Sequence, residues 1–135
     1  MTTTRTRLAR TGTAVAATAA VSLGSVALFA APAHADYEKE KDFRVAGVEA
    51  DFNVELEHGR YDVDFDLDDA RPGSRWRVVL KHNGTTFHNR VHRADADGDV
   101  DVDTIRPNSK GKDRFTVKVV KVGSKAKASR TITMR

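Results

Sequence analysis

Cysteine is absent from this chain of 135 residues, and its absence excludes disulfides, thiolate metal sites and cysteine nucleophiles. A lipid-modified N-terminal cysteine is excluded for the same reason. The stability of the folded part must therefore come from an apolar core. A segment of about 100 residues is long enough to build one such core, and only one.

Acidic residues are also absent from the first 35 positions, which instead carry three arginines, Arg5, Arg7 and Arg10. A weakly apolar stretch rich in Ala, Val, Ser and Thr follows over residues 13–30, and Ala33 and Ala35 fit the −3 and −1 positions of a signal-peptidase site. The stretch is poor in Leu, Ile and Phe, so a retained membrane anchor is the weaker alternative. We expect a general secretory signal peptide over residues 1–35, cleaved after Ala35, and a secreted, extracellular protein without a membrane span.

Removal of that segment would change the charge balance of the protein. Three of the 23 basic side chains and none of the 19 acidic ones lie in residues 1–35, which leaves 20 against 19 in residues 36–135. A nearly neutral domain does not indicate a nucleic-acid partner. The few aromatic residues also fall at positions expected to be buried, where they cannot stack on bases. We therefore expect no nucleic-acid partner.

The remaining residues show an apolar period of two rather than 3.6, which is typical of half-buried strands. Gly, Pro and Asn punctuate the pattern as turn residues, and no segment reads as a helix. The core predicted from the apolar positions is Tyr61, Val63, Phe65, Leu67, Trp76, Val78, Leu80, Phe87, Val91, Val100, Val102, Phe115, Val117, Val119, Ile132 and Met134. Residues 36–42, DYEKEKD, are almost entirely charged and are interpreted as a solvated leader. The predicted domain organisation is a signal peptide over residues 1–35, a charged leader over 36–42 and a β-domain over 43–135.

One hairpin can be placed in register from the sequence. Asn83-Gly84 favours a two-residue type I′ turn, because both central positions of that turn need positive φ. Counting outward from the turn pairs His82 with Thr85, and then Leu80 with Phe87, Val78 with Asn89 and Trp76 with Val91. The face that holds these last three pairs is apolar except for Asn89. The opposite, polar face would collect Arg75, Arg77, Val79, Lys81, His88, Arg90 and His92.

Seven or eight short strands in about 100 residues are typical of a β-sandwich. Three segments resemble an immunoglobulin-like or fibronectin type III-like domain: Trp76 early in RWRVVLKHNG, the run from Asp113 to Val119, and the closing RTITM. The chain is also similar to small secreted actinobacterial proteins of unassigned activity. The resemblance implies an all-β, immunoglobulin-like antiparallel β-sandwich of seven or eight strands, and no particular activity.

The charge is divided along the chain, with a net −8 over residues 36–105 and +9 over residues 106–135. An immunoglobulin-like arrangement would place residues 61–67 beside residues 99–105 in one sheet. The outward side chains of that sheet would be Asp62, Asp64, Asp66, Asp99, Asp101 and Asp103. The other sheet would present Arg75, Arg77, Lys81 and Lys118. These are the candidate interaction faces, and the alternative is that both faces serve only to keep the protein solvated.

Two sets of residues partly match metal-site patterns. Asp95, Asp97 and Asp99 match positions 1, 3 and 5 of an EF-hand calcium loop, but Val100 and Arg106 stand where glycine and glutamate are needed. The three aspartates are therefore only weak calcium candidates, and no cofactor is expected otherwise. His88 and His92 share a face of one strand about 13 Å apart, too far to bind one zinc ion without a bulge.

The sequence contains no catalytic motif, so the expected function is a non-catalytic binding or surface-interaction module acting through its charged faces. An anionic cell-envelope polymer or a cationic partner would suit these faces, and the module is expected to be monomeric. Two alternatives remain. One is a small extracellular hydrolase using His58 or His82 with a carboxylate. The other is a protease inhibitor that presents residues 68–74 or 106–113 as an exposed loop.

Overall fold

The computed structural model describes residues 38–135, and the predicted signal peptide with its cleavage after Ala35 lies outside this range. The described residues form eight strands: β1 (Glu38–Val45), β2 (Val48–Glu57), β3 (Arg60–Asp68), β4 (Arg75–His82), β5 (Thr85–Arg93), β6 (Val100–Pro107), β7 (Asp113–Lys121) and β8 (Lys127–Met134). Among residues 38–135 no helix of a length and apolarity suited to crossing a membrane is found.

The strands form two antiparallel four-stranded sheets. The first sheet has the strand order β1-β2-β3-β6, and the second has the order β5-β4-β7-β8. The two inner faces supply one continuous core, in which Trp76, Tyr61, Phe52, Phe65 and Phe115 are the largest fully buried side chains. The prediction of an all-β sandwich of seven or eight strands is therefore confirmed.

The core differs from the predicted one at both of its margins. Of the predicted core residues, Phe87 is only partly buried, and Val91 is 42% exposed, so its assignment to the core was wrong. In the other direction, β1 and β2 supply a set of buried side chains that the prediction left out, namely Phe43, Val45, Ala50, Phe52 and Val54. The first sheet is consequently wider than the sequence pattern indicated.

The interpretation of residues 36–42 as a leader was wrong from Glu38 onward, because β1 begins there. The charged side chains of Glu38 to Asp42 are exposed, as expected, but their backbone pairs with β2 from Glu38↔Glu55 to Asp42↔Asp51. Backbone pairing does not require apolar side chains, so a charged strand can add to a sheet edge that buried residues elsewhere have already fixed. Lys39 also reaches the second sheet, where its Nζ donates to the Thr133 carbonyl oxygen at 2.5 Å.

The β4–β5 hairpin follows the predicted register only near its turn. Asn83 and Gly84 have φ values of 49° and 84°, as a type I′ turn requires, and His82 pairs with Thr85. The register then shifts between Leu80 and Lys81, so the pairs that follow are Leu80↔His88, Val78↔Arg90 and Trp76↔His92. The predicted pairs beyond the turn, and the placement of the two histidines on the outward face, were therefore wrong. The β-bulge shifts the register by one residue, so the side chains of β5 beyond it point to the opposite side of the sheet.

Candidate interaction faces

The outer face of the first sheet is built from the polar positions of four alternating strands. Since β2 and β3 bury every second residue, the residues between point outward, and antiparallel pairing aligns them in rows across the sheet. The central carboxylate row is Asp42–Asp51–Asp66–Asp101, with one aspartate from each strand. Beside it runs a second row, Glu40–Asn53–Asp64–Asp103.

Carboxylates dominate the rest of this surface as well. The acidic face, as we define it, consists of Glu38, Glu40, Asp42, Glu49, Asp51, Glu55, Asp62, Asp64, Asp66, Asp68, Asp101 and Asp103. Arg44 provides some compensation at one end, where it forms an ion pair with Glu49. Side chains directly opposite each other in a sheet have Cβ atoms only about 4.5–5.5 Å apart, and like charges at that distance are destabilising.

Crowding and burial raise the pKa of several carboxyls on the acidic face. Burial and the neighbouring charge of Asp101 raise the pKa of Asp66 to about 7. Burial raises the pKa of Asp64 to about 6 with help from the charge of Asp103, and raises that of Asp51 to about 6 with help from Asp42. At neutral pH the centre of the face is therefore close to its titration range, and it would gain from any cation that relieves the repulsion.

The structure brings most of the predicted acidic residues together and adds others. Asp62, Asp64, Asp66, Asp101 and Asp103 lie on the acidic face, whereas Asp99 precedes β6 and lies outside it. The carboxylates of β1 and β2 were missed. The alternation EADFNVELE over residues 49–57 indicates β2. Strand β1 was missed because residues 36–42 were interpreted as a leader.

Two groups of carboxylates could hold a cation, and the structure gives them different surroundings. One side-chain oxygen of Asp95 accepts the backbone N–H groups of Asp97 and Asp99, each at 2.9 Å, and so shapes the turn before β6. The backbone N–H of Asp99 thereby lowers the pKa of Asp95. Ligand oxygens of Glu40, Asp42 and Asp51, by contrast, lie within 4.8 Å of one another on the acidic face.

The outer face of the second sheet carries the opposite charge. The predicted residues Arg75, Arg77, Lys81 and Lys118 point outward, and the register adds three more cations. The basic face is therefore Arg75, Arg77, Lys81, Arg93, Arg114, Lys118 and Lys127. Among the residues of β4, β5, β7 and β8 the only carboxylate is Asp113, which is buried and faces inward. The described domain thus has faces of opposite charge on its two sides.

A buried polar cluster closes one end of the sandwich. The Asp113 carboxylate lies 2.6 Å from Nε2 of His82 and accepts hydrogen bonds from Asn83 Nδ2 at 2.9 Å and from the Ser109 backbone N–H at 3.1 Å. Burial alone would raise the pKa of Asp113, but the bonds from Ser109, His82 and Asn83 outweigh it and lower the pKa to about 2. The cluster joins the end of β4 to the start of β7 and to the loop that carries Ser109.

The same cluster does not have the order of groups that a serine nucleophile uses. The Ser109 hydroxyl donates to Asp113 Oδ1, the oxygen that also faces His82, so the carboxylate separates the hydroxyl from the imidazole. A serine nucleophile requires the opposite order, with the histidine next to the hydroxyl. His58, the other predicted candidate, is 89% exposed at its side chain, and its Nδ1 lies 3.4 Å from Glu57.

The two segments considered as inhibitor loops are held against the domain. Within residues 68–74, the backbone N–H of Ala70 donates to the Gly98 carbonyl at 2.9 Å, and that of Gly73 donates to the Ala94 carbonyl at 2.9 Å. A Cβ atom at Gly98 would lie 2.1 Å from the Ala70 carbonyl oxygen, so only glycine fits there. In residues 106–113 the bonds from Ser109 to the buried Asp113 tether the loop, although residues 107–112 are exposed.

His88 and His92 do not lie where the sequence placed them. They face the inner side of the edge strand β5, opposite Leu80 and Trp76, and their Nε2 atoms are 2.9 Å apart. The expected separation of about 13 Å describes the backbone, and the side chains lean along the strand to meet. Burial lowers the pKa of both imidazoles, and the positive charge of Arg90 between them lowers it further.

Comparison of the chain with protein-family models, with curated proteins and with solved structures returns no match.

Proposed function

We propose that the protein is a secreted, non-catalytic binding module with an immunoglobulin-like architecture. The strand order supports this proposal, because β2-β3-β6 and β5-β4-β7-β8 match the orders A-B-E and C′-C-F-G of such a domain. The fully buried Trp76 then stands on strand C, where immunoglobulin domains carry a buried tryptophan. Strand β1 is an addition to this plan and widens the acidic face.

The acidic face is the binding surface in this proposal, and its partner is polycationic, such as a lysine- or arginine-rich segment of another extracellular protein. The central carboxylate row carries the proposal, because four aspartates stand in one line across the sheet. Each directly opposed pair costs roughly 0.2–1 kcal/mol in the free protein. A cationic partner would remove that repulsion and add ion pairs, so binding would relieve strain present in the unbound domain.

A fluorescent decalysine peptide, titrated with the full-length protein and followed by anisotropy, tests the proposal. We expect binding at low salt that weakens steeply when the salt is raised to about 0.5 M. The double variant Asp51→Asn/Asp66→Asn should bind about tenfold more weakly, because each ion pair at a solvated surface contributes up to about 1 kcal/mol.

The matched control is Asp69→Asn/Asp97→Asn, which removes two exposed carboxylates outside the acidic face. It should bind as the wild type does. An equal loss of affinity in both double variants would show that only net charge matters and would contradict a role for the central carboxylate row. Binding that is absent at low salt would contradict the proposal as a whole.

The basic face supports a second candidate function, the binding of an anionic cell-envelope polymer. The observation in its favour is that seven cations point outward without a carboxylate among them. Polyphosphate retention at low salt should fall in Arg77→Gln/Lys118→Gln and persist in Lys110→Gln/Lys125→Gln, a control that removes two exposed loop lysines. Equal retention of both double variants would contradict a role for this face.

A further inference from the structure

Strand β5 carries a pair of histidines that neither charged face explains. It is an edge strand of the second sheet, and the shift between Leu80 and Lys81 turns His88, Arg90 and His92 toward the inner side. The His88 and His92 ring planes are inclined by only 17°, and their centroids are 5.1 Å apart. Since the Nε2 atoms are much closer, at 2.9 Å, the rings meet by their Nε2 edges rather than by their faces.

We propose that His88 and His92 form a two-imidazole binding site for a transition-metal ion, with Cu²⁺ as the preferred ion. An imidazole nitrogen binds such ions at about 2.0–2.1 Å. Two nitrogens at that distance are about 2.9 Å apart when they occupy neighbouring corners of a square plane, and about 3.4 Å apart in a tetrahedron. In the structure the 2.9 Å contact is a hydrogen bond between the two Nε2 atoms, and it holds them at the spacing of neighbouring corners of the square plane that Cu²⁺ and Ni²⁺ adopt.

The surroundings of the pair permit binding and limit its strength. Both side chains are partly exposed at the sheet edge, so an ion can reach them and water can complete its coordination. Binding requires the rings to tilt until both Nε2 lone pairs point at one ion, and Arg90 opposes the charge of that ion.

Among divalent first-row ions Cu²⁺ binds imidazole sites most tightly, which makes it the preferred probe. The full-length protein is titrated with CuCl₂ and followed by electron paramagnetic resonance, in which coordinated nitrogen splits the copper signal. We expect one site with nitrogen ligands. His88→Asn and His92→Asn should each weaken it by more than about tenfold, because loss of a ligand costs more than loss of a supporting group.

His58→Asn is the matched control, since it removes an exposed histidine from another strand connection and should leave the affinity unchanged. Arg90→Gln removes the nearby positive charge and should tighten the site. Binding that survives in both His88→Asn and His92→Asn, or a Zn²⁺ affinity above that of Cu²⁺, would overturn the proposal.

A measurement on the wild type alone protects the test against variants that fail to fold. In a proton NMR spectrum of the full-length protein, substoichiometric Cu²⁺ should broaden the imidazole signals of His88 and His92 before those of His58 and His82. Uniform broadening, or broadening that begins at His58, would also overturn the proposal. The site lies on the second sheet, so this result is independent of peptide binding by the acidic face.

Discussion

Replacement of Asp66 by asparagine should stabilise the protein at pH 8, although it changes only one half-buried surface residue. Asp66 stands directly opposite Asp51 on one side and Asp101 on the other. Removal of two like-charge pairs, each worth roughly 0.2–1 kcal/mol, should raise the free energy of unfolding by about 1 kcal/mol. The amide has the shape of the carboxyl, so no cavity forms. For a domain of about 100 residues this gain corresponds to a rise in Tm of roughly 4–8 °C.

The same replacement should have a smaller effect at pH 5, because the loss of stability builds up between the two pKa values of Asp66 and is only partly complete there. Because burial and Asp101 raise the pKa of Asp66 from 3.8 to about 7, the wild-type side chain is already protonated at pH 5 in the folded state. A carboxyl whose pKa is higher in the folded than in the unfolded protein destabilises the fold as the pH rises between the two values. The wild type should therefore lose stability from about pH 4 to about pH 7, and the variant should lose less.

Thermal unfolding followed by circular dichroism at pH 5 and pH 8 measures both effects. Asp97→Asn serves as the control, because Asp97 is exposed in a turn outside the acidic face and its replacement should change the Tm little at either pH. A Tm of Asp66→Asn at pH 8 that is equal to or below that of the wild type would refute the reasoning. An equal gain in Asp97→Asn would refute it too, since the gain would then reflect net charge alone.

Three further predictions concern the core, the buried cluster and cations. Trp76→Ala removes the largest fully buried side chain and should cost about 3–5 kcal/mol in urea unfolding, against a total of roughly 5–15 kcal/mol, whereas an unchanged midpoint would show that the ring is not central. Asp113→Asn should cost about 2 kcal/mol at pH 7. Because the pKa of Asp113 is about 2 when folded, its stabilisation is present above about pH 4 and lost as the pH falls toward 2, so the variant and the wild type should converge there. Calcium at millimolar concentration should raise the Tm of the wild type, and Asp51→Asn should reduce that shift, whereas identical melting in chelator and calcium would exclude binding.

The alternation of side chains made much of the first sheet predictable from the sequence. Residues 61–67 alternate strictly, and the structure buries Tyr61, Val63, Phe65 and Leu67 while turning the aspartates between them outward. The period of two determines which side chains share a face, so the aspartates of β3 could be assigned to one surface from their spacing alone. Their partners on β6 followed from the expected neighbouring position of that strand.

Two elements escaped prediction because their placement depends on residues far away in the chain. Strand β1 is specified by the free edge of β2 and by contacts with β8, such as Arg130 lying 4.8 Å from the Phe43 ring centroid, rather than by its own charged residues. The register shift in the β4–β5 hairpin lies at a sheet edge, where bulges are common and increase the twist of the strand. The contact between His88 and His92 depends on that strand, and strand spacing alone could not reveal it.

The crowding of carboxylates on the acidic face is most directly measured by carbon-13 NMR titration of the aspartate side chains. We expect a midpoint near pH 7 for Asp66 and midpoints near pH 6 for Asp51 and Asp64. Midpoints near the ordinary 3.8 for all three residues would show that these side chains do not repel one another across the sheet, and a cationic partner would then have no strain to relieve.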